Sequence, residues 1–219
     1  MNRLIAALLP VLMVRSLRQG LAGVWGVATA TRPAAGAVLV ANHHSWWDGY
    51  LLWWTVRRSQ RRVAMIIDAT TLARFPFFRR LGGIAPEEAR AAARRVERGA
   101  WLVVFPEGAL TPPGRLAPFA RGAQAISRWA RAPVVPIGIR VVMRARQRPE
   151  AYLRVGESLP PGTSAEGQRA AVAALLALID ADMERAGEAE APLPGYETWL
   201  AGAPSTDERA ERARRWWSR

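Results

Sequence analysis

Short, wholly apolar runs alternate with helix-like segments along most of the chain, and few folds accommodate such an alternation. Five runs have the length and apolar character of buried strands: residues 36–41, 63–67, 101–105, 133–142 and 151–155. The segments between and after them have the periodicity or the start signals of helices: residues 46–58, 70–81, 86–98, 119–130 and 164–185. Strands that alternate with helices favour a parallel sheet with helices packed on its faces. We therefore predict an α/β fold, a single domain with a mostly parallel, mixed sheet flanked by helices.

The first 30 residues differ from the rest, and we predict that they form helices that precede the domain. They contain two apolar stretches, residues 4–14 and 21–30, each well short of the roughly 20 residues that a membrane-spanning helix needs. The small residues at 28–30 lie too far beyond the first stretch to mark a cleaved secretory signal. One or two amphipathic helices that lie in a membrane surface fit this pattern. Ordinary helices that cover the core are the alternative.

The predicted organisation has three parts. Residues 1–30 form an N-terminal amphipathic helical segment at the membrane interface, and residues 31–186 form the α/β domain. Residues 187–219 form a C-terminal tail that is rich in proline, glycine and acidic residues. We expect this tail to be loosely held and to end in a short charged helix at 205–219.

The chain is strongly basic, with 31 arginines, no lysine and a net charge of +13. Residues 1–160 hold 24 arginines and 8 acidic residues, whereas residues 161–219 hold 7 arginines and 10 acidic residues. A basic body of this kind indicates a polyanionic partner, which is a nucleic acid, an anionic membrane or a phosphorylated substrate. The absence of cysteine excludes disulfides, thiolate metal sites and cysteine nucleophiles. Because only two histidines are present, we expect no multi-histidine metal site.

Two adjacent histidines lie between a predicted strand and a predicted helix, where residues 42–48 have the sequence Asn-His-His-Ser-Trp-Trp-Asp. Ligands of α/β proteins bind beyond the carboxyl ends of strands, and histidine accepts a proton near neutral pH when a carboxylate orients it. Asp48 is the one acidic residue nearby in sequence. His43 and Asp48 meet if His43 lies in the turn before the helix and Asp48 about one turn inside it. The alternative is a buried capping histidine and a first-turn acid stabilised by the helix dipole.

A second cluster of polar residues follows the strand at 101–105. Glu107 comes directly after a proline at the carboxyl end of that strand, and a glycine-rich loop with Arg115 and Arg121 leads into the next helix. Exposed backbone N–H groups, arginines and a helix N-terminus together suit a phosphate group. Solvated surface ion pairs are the alternative.

These segments together resemble the lysophospholipid acyltransferase family, whose best-known members are the 1-acylglycerol-3-phosphate acyltransferases. The family's first motif, Asn-His-x-Ser-x-x-Asp, is matched by residues 42–48. Its third motif, Phe-Pro-Glu-Gly followed by Gly-x-Leu, Phe and Arg-Gly, is matched by residues 105–108 and 114–122. Its fourth motif, a hydrophobic strand around prolines, is matched by residues 133–137. The order and spacing of the motifs agree over residues 36–160.

The resemblance implies an enzyme that moves a fatty acyl chain from a thioester, acyl-CoA or acyl carrier protein, to a lipid hydroxyl, as from lysophosphatidic acid to phosphatidic acid. His43 would be the general base on that hydroxyl, with Asp48 orienting it. A triad with Ser45 as the nucleophile is the alternative, but Ser45 lies two residues from His43 and is not within a Gly-x-Ser-x-Gly elbow, so we expect it to cap the following helix. We expect His44 to be structural. The substrate-binding positions that the resemblance implies are Glu107, Gly108, Arg115, Arg121 and Pro136.

Two departures from the family pattern concern the acceptor. In the family, an arginine of the second motif contacts the acceptor's phosphate, and this chain has Glu88 at that position. The Thr-Arg-Ser of the family's third motif is replaced at 109–111 by Ala-Leu-Thr. The possible substitutes for the two missing arginines are those at 79, 80, 90 and 115. A glycolipid, a hydroxylated isoprenoid or an amino-lipid is therefore an alternative acceptor, and a thioesterase that uses water is an alternative enzyme.

The expected partners are the acyl donor, the lipid acceptor and an anionic membrane surface. Ten tryptophans favour a membrane interface, and the enzyme is expected to be peripheral on the cytoplasmic face of the cell membrane because acyl donors are cytoplasmic. A nucleic-acid-binding module is the competing interpretation of the charge, but no helix has a continuous basic face with interleaved aromatic residues. No nucleic acid is therefore expected as a partner, and no cofactor, since the acyl donor is a substrate.

Overall fold

One mixed sheet forms the centre of the structure, a computed structural model that describes residues 2–28, 33–144, 146–187 and 192–217. Its strands are β1 (Gly23–Ala28), β2 (Ala37–Ala41), β3 (Val63–Ile66), β4 (Gly83–Ile84), β5 (Trp101–Val104), β6 (Val134–Val142), β7 (Glu150–Val155) and β8 (Glu197–Ala201). They lie in the order β4-β3-β5-β2-β6-β7-β1-β8. The first five in this order are parallel, β7 and β1 run in the opposite direction, and β8 is antiparallel to β1. The predicted α/β class with a mostly parallel, mixed sheet is confirmed.

Helices lie on both faces of the sheet. They are α1 (Asn2–Gly20), α2 (Asp48–Arg58), α3 (Ala69–Arg74), α4 (Ala89–Glu97), α5 (Gly122–Ala130), α6 (Ala165–Ala186) and α7 (Thr206–Trp217), with short 3-10 helices at Pro76–Leu81 and Pro86–Glu88. The segment predicted as one helix at 70–81 divides into α3 and a 3-10 helix. The physical reason is Pro76, which cannot donate a helical hydrogen bond and disfavours helical geometry at the residue before it.

The central strand β2 is buried from both sides. Leu39 of β2 lies in one buried cluster with Leu17 of α1 and Leu51 of α2. Its neighbour Val38 lies in a second cluster with Val96 of α4. Because consecutive side chains of a strand point to opposite faces, a continuous apolar run fills two cores at once. The residues that follow β2 are thereby held at the middle of the sheet's carboxyl edge.

The predicted helix over the second apolar stretch, residues 21–30, is wrong where the structure describes it, because residues 23–28 form β1 between β7 and β8. Glycine at positions 23 and 26 disfavours a helix. Gly26 also permits a close approach, since a Cβ there would lie 2.3 Å from the ring of Trp199 on β8. Residues 29 and 30 lie outside the described residues. One helix, α1, precedes the sheet, and no helix within the described ranges is both long and apolar enough to cross a bilayer.

The predicted tail at 187–219 is not loosely held throughout. Its residues 197–201 form β8, which closes the edge of the sheet beside β1, and Tyr196, Trp199 and Leu200 are buried. The charged helix predicted at 205–219 is α7 at Thr206–Trp217, and residues 218 and 219 lie outside the described residues. The boundary predicted at 187 therefore cuts through elements that share one sheet.

Candidate active site

The carboxyl ends of three neighbouring parallel strands form the candidate site. In the sheet, β2 pairs with β5 on one side and with β6 on the other. The turn at 42–47 follows β2 and the glycine-rich loop at 105–121 follows β5, so the two predicted motifs lie side by side. This is the edge at which ligands bind in α/β sheets.

Asn42 fastens the turn after β2 to the neighbouring strand β6. Its side chain is buried, its amide Nδ2 donates to the carbonyl of Ile139 at 3.0 Å, and its Oδ1 accepts from the N–H of Ile139 at 2.9 Å. Because the two partners lie 97 positions apart in sequence, the motif alone did not reveal this pair. The reciprocal bonds hold the backbone that carries His43.

The structure brings His43 and Asp48 together. The His43 Nδ1 lies 3.0 Å from the Asp48 Oδ2, which also accepts from the backbone N–H groups of His44 and Ser45 at 2.8 Å each. Asp48 is fully buried and is the first residue of α2, where the helix dipole stabilises a carboxylate. The predicted arrangement differs only in that Asp48 begins the helix instead of lying one turn inside it. Ser45, predicted as the helix cap, accepts from the N–H of Trp47 instead.

The imidazole of His43 has one engaged nitrogen and one open nitrogen. With Asp48 ionised, Nδ1 carries the proton and donates it to the carboxylate, which leaves the Nε2 lone pair available. Nε2 has no hydrogen-bond partner in the part of the chain that the structure describes, and the side chain is 24% exposed. The ring stacks on Phe105 at 4.2 Å between centroids. The arrangement provides a fixed, accessible proton acceptor.

Glu107 holds the backbone of His43 from the side of β5. Its Oε1 accepts from the His43 N–H at 2.7 Å, and its Oε2 accepts from the N–H of Ala117 at 2.9 Å and lies 3.0 Å from the Thr111 hydroxyl. The N–H of Thr111 donates to the His43 carbonyl at 2.8 Å. Gly108, at φ 75°, lets the chain turn directly after Glu107. Both carboxylate oxygens of Glu107 have protein partners, and the substrate-binding roles of Glu107 and Gly108 stay predictions.

We expect Glu107→Gln to lower kcat by about 10- to 100-fold. An amide cannot accept hydrogen bonds from all of these donors, and even a small shift of His43 lowers the rate. The KM values should change much less, since the side chain acts through His43. Steady-state kinetics check this split, and Glu97→Gln, an exposed change on α4, serves as the control. A large rise in KM at constant kcat would instead favour direct substrate contact.

The side chain of His44 is buried and faces β6. Its Nε2 accepts from the N–H of Val141 at 3.1 Å, and its Nδ1 lies 3.0 Å from the Asn42 amide nitrogen. Burial lowers the pKa of His44 below 6.5, Asp48 opposes this shift, and the positive charge of Arg140 adds to it. Burial thus favours the neutral form of His44, whose proton lies on Nδ1 because Nε2 accepts from Val141, and this agrees with the structural role expected of it.

The low pKa of His44 predicts a loss of stability in acid. The unfolded chain binds a proton at His44 below about pH 6.5, whereas the folded chain resists it, so the free energy of unfolding falls as pH falls through this range. One histidine contributes a slope of at most about 1.4 kcal/mol per pH unit. We expect urea unfolding between pH 7.5 and 5 to show a smaller loss for His44→Gln than for the wild type. An equal loss in both proteins would contradict this account.

The other predicted site residues lie in different places. Arg115 lines a cavity of about 180 Å³ between the glycine-rich loop and α6. Arg121 is exposed and directly precedes α5. Pro136 lies inside β6 opposite Val40, so the structure places it in the sheet and not at the carboxyl edge. Among the described residues, no group of three or more histidine or acidic side chains is placed to hold a metal ion.

A partly exposed histidine in the turn after the central strand β2 therefore lies beside a buried carboxylate at the start of α2. A model of the Acyltransferase family matches residues 27–140, which include His43, Asp48 and Glu107, and the chain belongs to this family. It is therefore an acyltransferase, as its motifs predicted.

A solved structure has a similar fold, that of the 1-acyl-sn-glycerophosphate (LPA) acyltransferase PlsC from Thermotoga maritima. The similarity covers 81% of each chain, with a TM-score of 0.54 and 19% sequence identity. No curated protein sequence matches the chain. The structural comparison supports the α/β architecture, and the family match supports the class of enzyme.

Proposed function

We propose that the protein is a membrane-associated O-acyltransferase that moves a fatty acyl chain from acyl-CoA or acyl carrier protein to the hydroxyl of a lipid. The observation that carries the proposal is the His43–Asp48 pair, in which Nδ1 lies 3.0 Å from the carboxylate and Nε2 is open. A histidine held in this way accepts the proton of a hydroxyl and so makes the oxygen a nucleophile.

The reaction is a direct transfer. The acceptor hydroxyl gives its proton to the His43 Nε2 while its oxygen attacks the thioester carbonyl. The tetrahedral intermediate then collapses, the carbon–sulfur bond breaks, and the thiolate takes the proton from the imidazolium to leave as a free thiol. Asp48 stabilises the imidazolium in between. No protein nucleophile takes part, in keeping with a chain without cysteine.

Lysophosphatidic acid is the first acceptor to test, because the structurally similar PlsC is a 1-acyl-sn-glycerophosphate acyltransferase. A second acceptor class, without phosphate, is favoured by one observation. Glu88 stands where the family has a phosphate-binding arginine, and it accepts hydrogen bonds from Arg79 and from the N–H of Ala85. Because Arg79 is already paired with the Glu88 carboxylate, it is not free to bind a phosphate at this position.

Attachment to the cytoplasmic face of the membrane is part of the proposal. Trp46 of the His43 turn and Leu110 of the glycine-rich loop are 61% and 57% exposed, and Val11 and Leu12 of α1 are exposed as well. Tryptophan and exposed aliphatic side chains near arginines are typical of membrane-interface surfaces. Co-sedimentation with anionic vesicles tests this attachment, and recovery of the protein in the supernatant at low salt would overturn it.

The acyltransferase proposal is tested by an acceptor screen with mass spectrometry. Wild-type protein and His43→Ala each receive a labelled acyl thioester with lysophosphatidic acid, a monoacylglycerol or a lipid extract. A labelled acyl-lipid formed by the wild type alone supports the proposal and identifies the acceptor class. Labelled free fatty acid without any labelled lipid would show a thioesterase instead.

A further inference from the structure

The last helix, α7, is fastened by its first turn to the loop that joins β6 to β7. The Oε1 of Gln147 in this loop accepts from the N–H of Thr206 at 3.2 Å, and Arg146 donates to the Oε1 of Glu208 at 3.1 Å. Because β6 is parallel to β2, this loop leaves the sheet at the same carboxyl edge as the turn that carries His43. The start of α7 therefore lies at the edge of the sheet that holds the candidate site.

The end of α1 joins this point to the His43 turn. The N–H of Ala203, shortly before α7, donates to the carbonyl of Arg18 at 2.6 Å. At Gly20 a Cβ would lie 2.2 Å from the ring of Trp47, so the turn packs directly on the end of α1. Trp47 packs against the exposed Trp46, with their ring centroids 5.0 Å apart. The start of α7 is thus connected through α1 to a surface that exposes tryptophan beside the site.

The far end of α7 exposes two adjacent tryptophans. Trp216 and Trp217 are 74% and 81% exposed, the highest values of any large apolar side chain that the structure describes. Their rings pack edge to face on each other, with centroids 5.7 Å apart. Side chains so exposed add little to the core, and a contiguous apolar patch in water is typical of a surface that binds a partner.

The charge of α7 changes sign along its length. Residues 206–208 include two acidic residues, whereas residues 209–217 have four arginines and one glutamate. The helix dipole favours this order of charges, but it gives no reason for two tryptophans beside Arg214 and Arg215 in the last turn. Tryptophan next to arginine is typical of helices that bind an anionic membrane surface, since the indole lies at headgroup level and the guanidinium groups attract anionic lipids.

We propose that α7 is a membrane-binding helix whose end at 214–217 enters the headgroup region of an anionic bilayer. The inference rests on the proposed function, acyl transfer to a lipid at the membrane, and deepens it by assigning a binding element and the lipid charge that it requires. The helix has 12 residues and spans about 18 Å. Because its other end is fixed to the carboxyl edge, a bound α7 keeps the His43 turn close to the lipid surface that holds the acceptor.

Co-sedimentation of the full chain with vesicles tests the proposal. Vesicles of phosphatidylcholine alone are compared with vesicles that also contain phosphatidylglycerol. We expect Trp216→Ser/Trp217→Ser to lower the partition coefficient on the anionic vesicles by about 10-fold, because the apolar area that two indoles bury in the interface is lost. Arg214→Gln/Arg215→Gln should lower it by about 10- to 30-fold on the anionic vesicles alone.

Two matched controls lie elsewhere on the surface. Arg94→Gln/Arg95→Gln removes the same charge from the exposed last turn of α4, and Leu178→Ser removes an exposed apolar side chain from α6. Both should change vesicle binding much less than the α7 variants do. Wild-type binding by both α7 variants would overturn the proposal. A dimer that becomes a monomer in the tryptophan variant, with equal vesicle binding, would show that the pair binds a second copy of the chain instead.

A fluorescent label reports the position of α7 directly. Because the chain has no cysteine, Trp217→Cys provides a single site for nitrobenzoxadiazole, an apolar dye that takes the place of the indole. We expect its emission to brighten and shift to the blue on anionic vesicles, whereas the same dye on Glu97→Cys, an exposed position of α4, should not respond. Labelled protein that sediments with vesicles while the dye at 217 stays in water would contradict the proposal.

Acyl-transfer rates separate this inference from the proposed function. With a water-soluble, short-chain acceptor, Trp216→Ser/Trp217→Ser should keep the wild-type kcat, because the mechanism uses no residue of α7. With the acceptor embedded in anionic vesicles, its rate should fall about as much as its binding does. A wild type that binds vesicles through α7 but transfers no acyl chain would support the membrane helix and overturn the proposed function alone.

Discussion

Replacing His43 with alanine is expected to lower kcat for acyl transfer by about 10²–10⁴-fold, the usual contribution of a positioned general base. The physical reason is that the proposed mechanism uses the open Nε2 of His43 as the proton acceptor, whereas the Nδ1 lies beside the Asp48 carboxylate. The measurement is the initial rate of labelled acyl-lipid formation at saturating donor and acceptor.

Two controls separate a lost base from a lost fold. The side chain is partly exposed, so His43→Ala should keep an unfolding midpoint close to that of the wild type. Added imidazole should restore part of the rate, because a free base can enter the space left by the side chain. A variant with the full wild-type rate would contradict the role of His43.

Replacing Asp48 with asparagine is expected to lower kcat by about 10²–10³-fold with little change in KM. Asparagine keeps the size of the side chain but not the charge that stabilises the imidazolium, and it no longer fixes the proton on the His43 Nδ1. The buried Oδ2 also accepts from the His44 and Ser45 N–H groups, so we expect a loss of about 1–3 kcal/mol in the free energy of unfolding. Kinetics and urea unfolding measure the two effects separately.

The double variant shows whether the two side chains act as a unit. If Asp48 acts only through His43, then Asp48→Asn in the His43→Ala background should cost no further activity. Fully additive losses would mean that Asp48 contributes to catalysis by a route other than His43.

Much of the fold could be predicted because burial patterns are local. The apolar runs of β2, β3, β5, β6 and β7 and the helical periodicity of α2, α4 and α6 are visible within each segment. The strands β1 and β8 were missed because they are defined by their partners in the sheet. β1 pairs with β7 and with β8, and both partners lie more than 100 positions away along the chain. A glycine-containing apolar stretch such as β1 has no local pattern that separates a strand from a short helix.

The candidate site was predicted unevenly for the same reason. Five positions separate His43 from Asp48, so local geometry permitted their meeting at a turn before a helix, and the structure shows that they meet. Glu107 was recognised as a motif residue, but its bond to the His43 N–H exists only because β2 and β5 are neighbours. The Asn42 pair with Ile139 likewise depends on β6.

The amino-acid sequence alone was sufficient for the α/β class, the acyltransferase motifs and the pairing of His43 with Asp48, since each depends on residues close together along the chain. The order of the strands, the bonds that Glu107 and Asn42 make to the turn, and the cavity beside Arg115 required the folded chain. The bonds of Glu107 and Asn42 join residues that are 64 and 97 positions apart. Contacts over such separations depend on which strands become neighbours, and no local pattern in a single sequence specifies that.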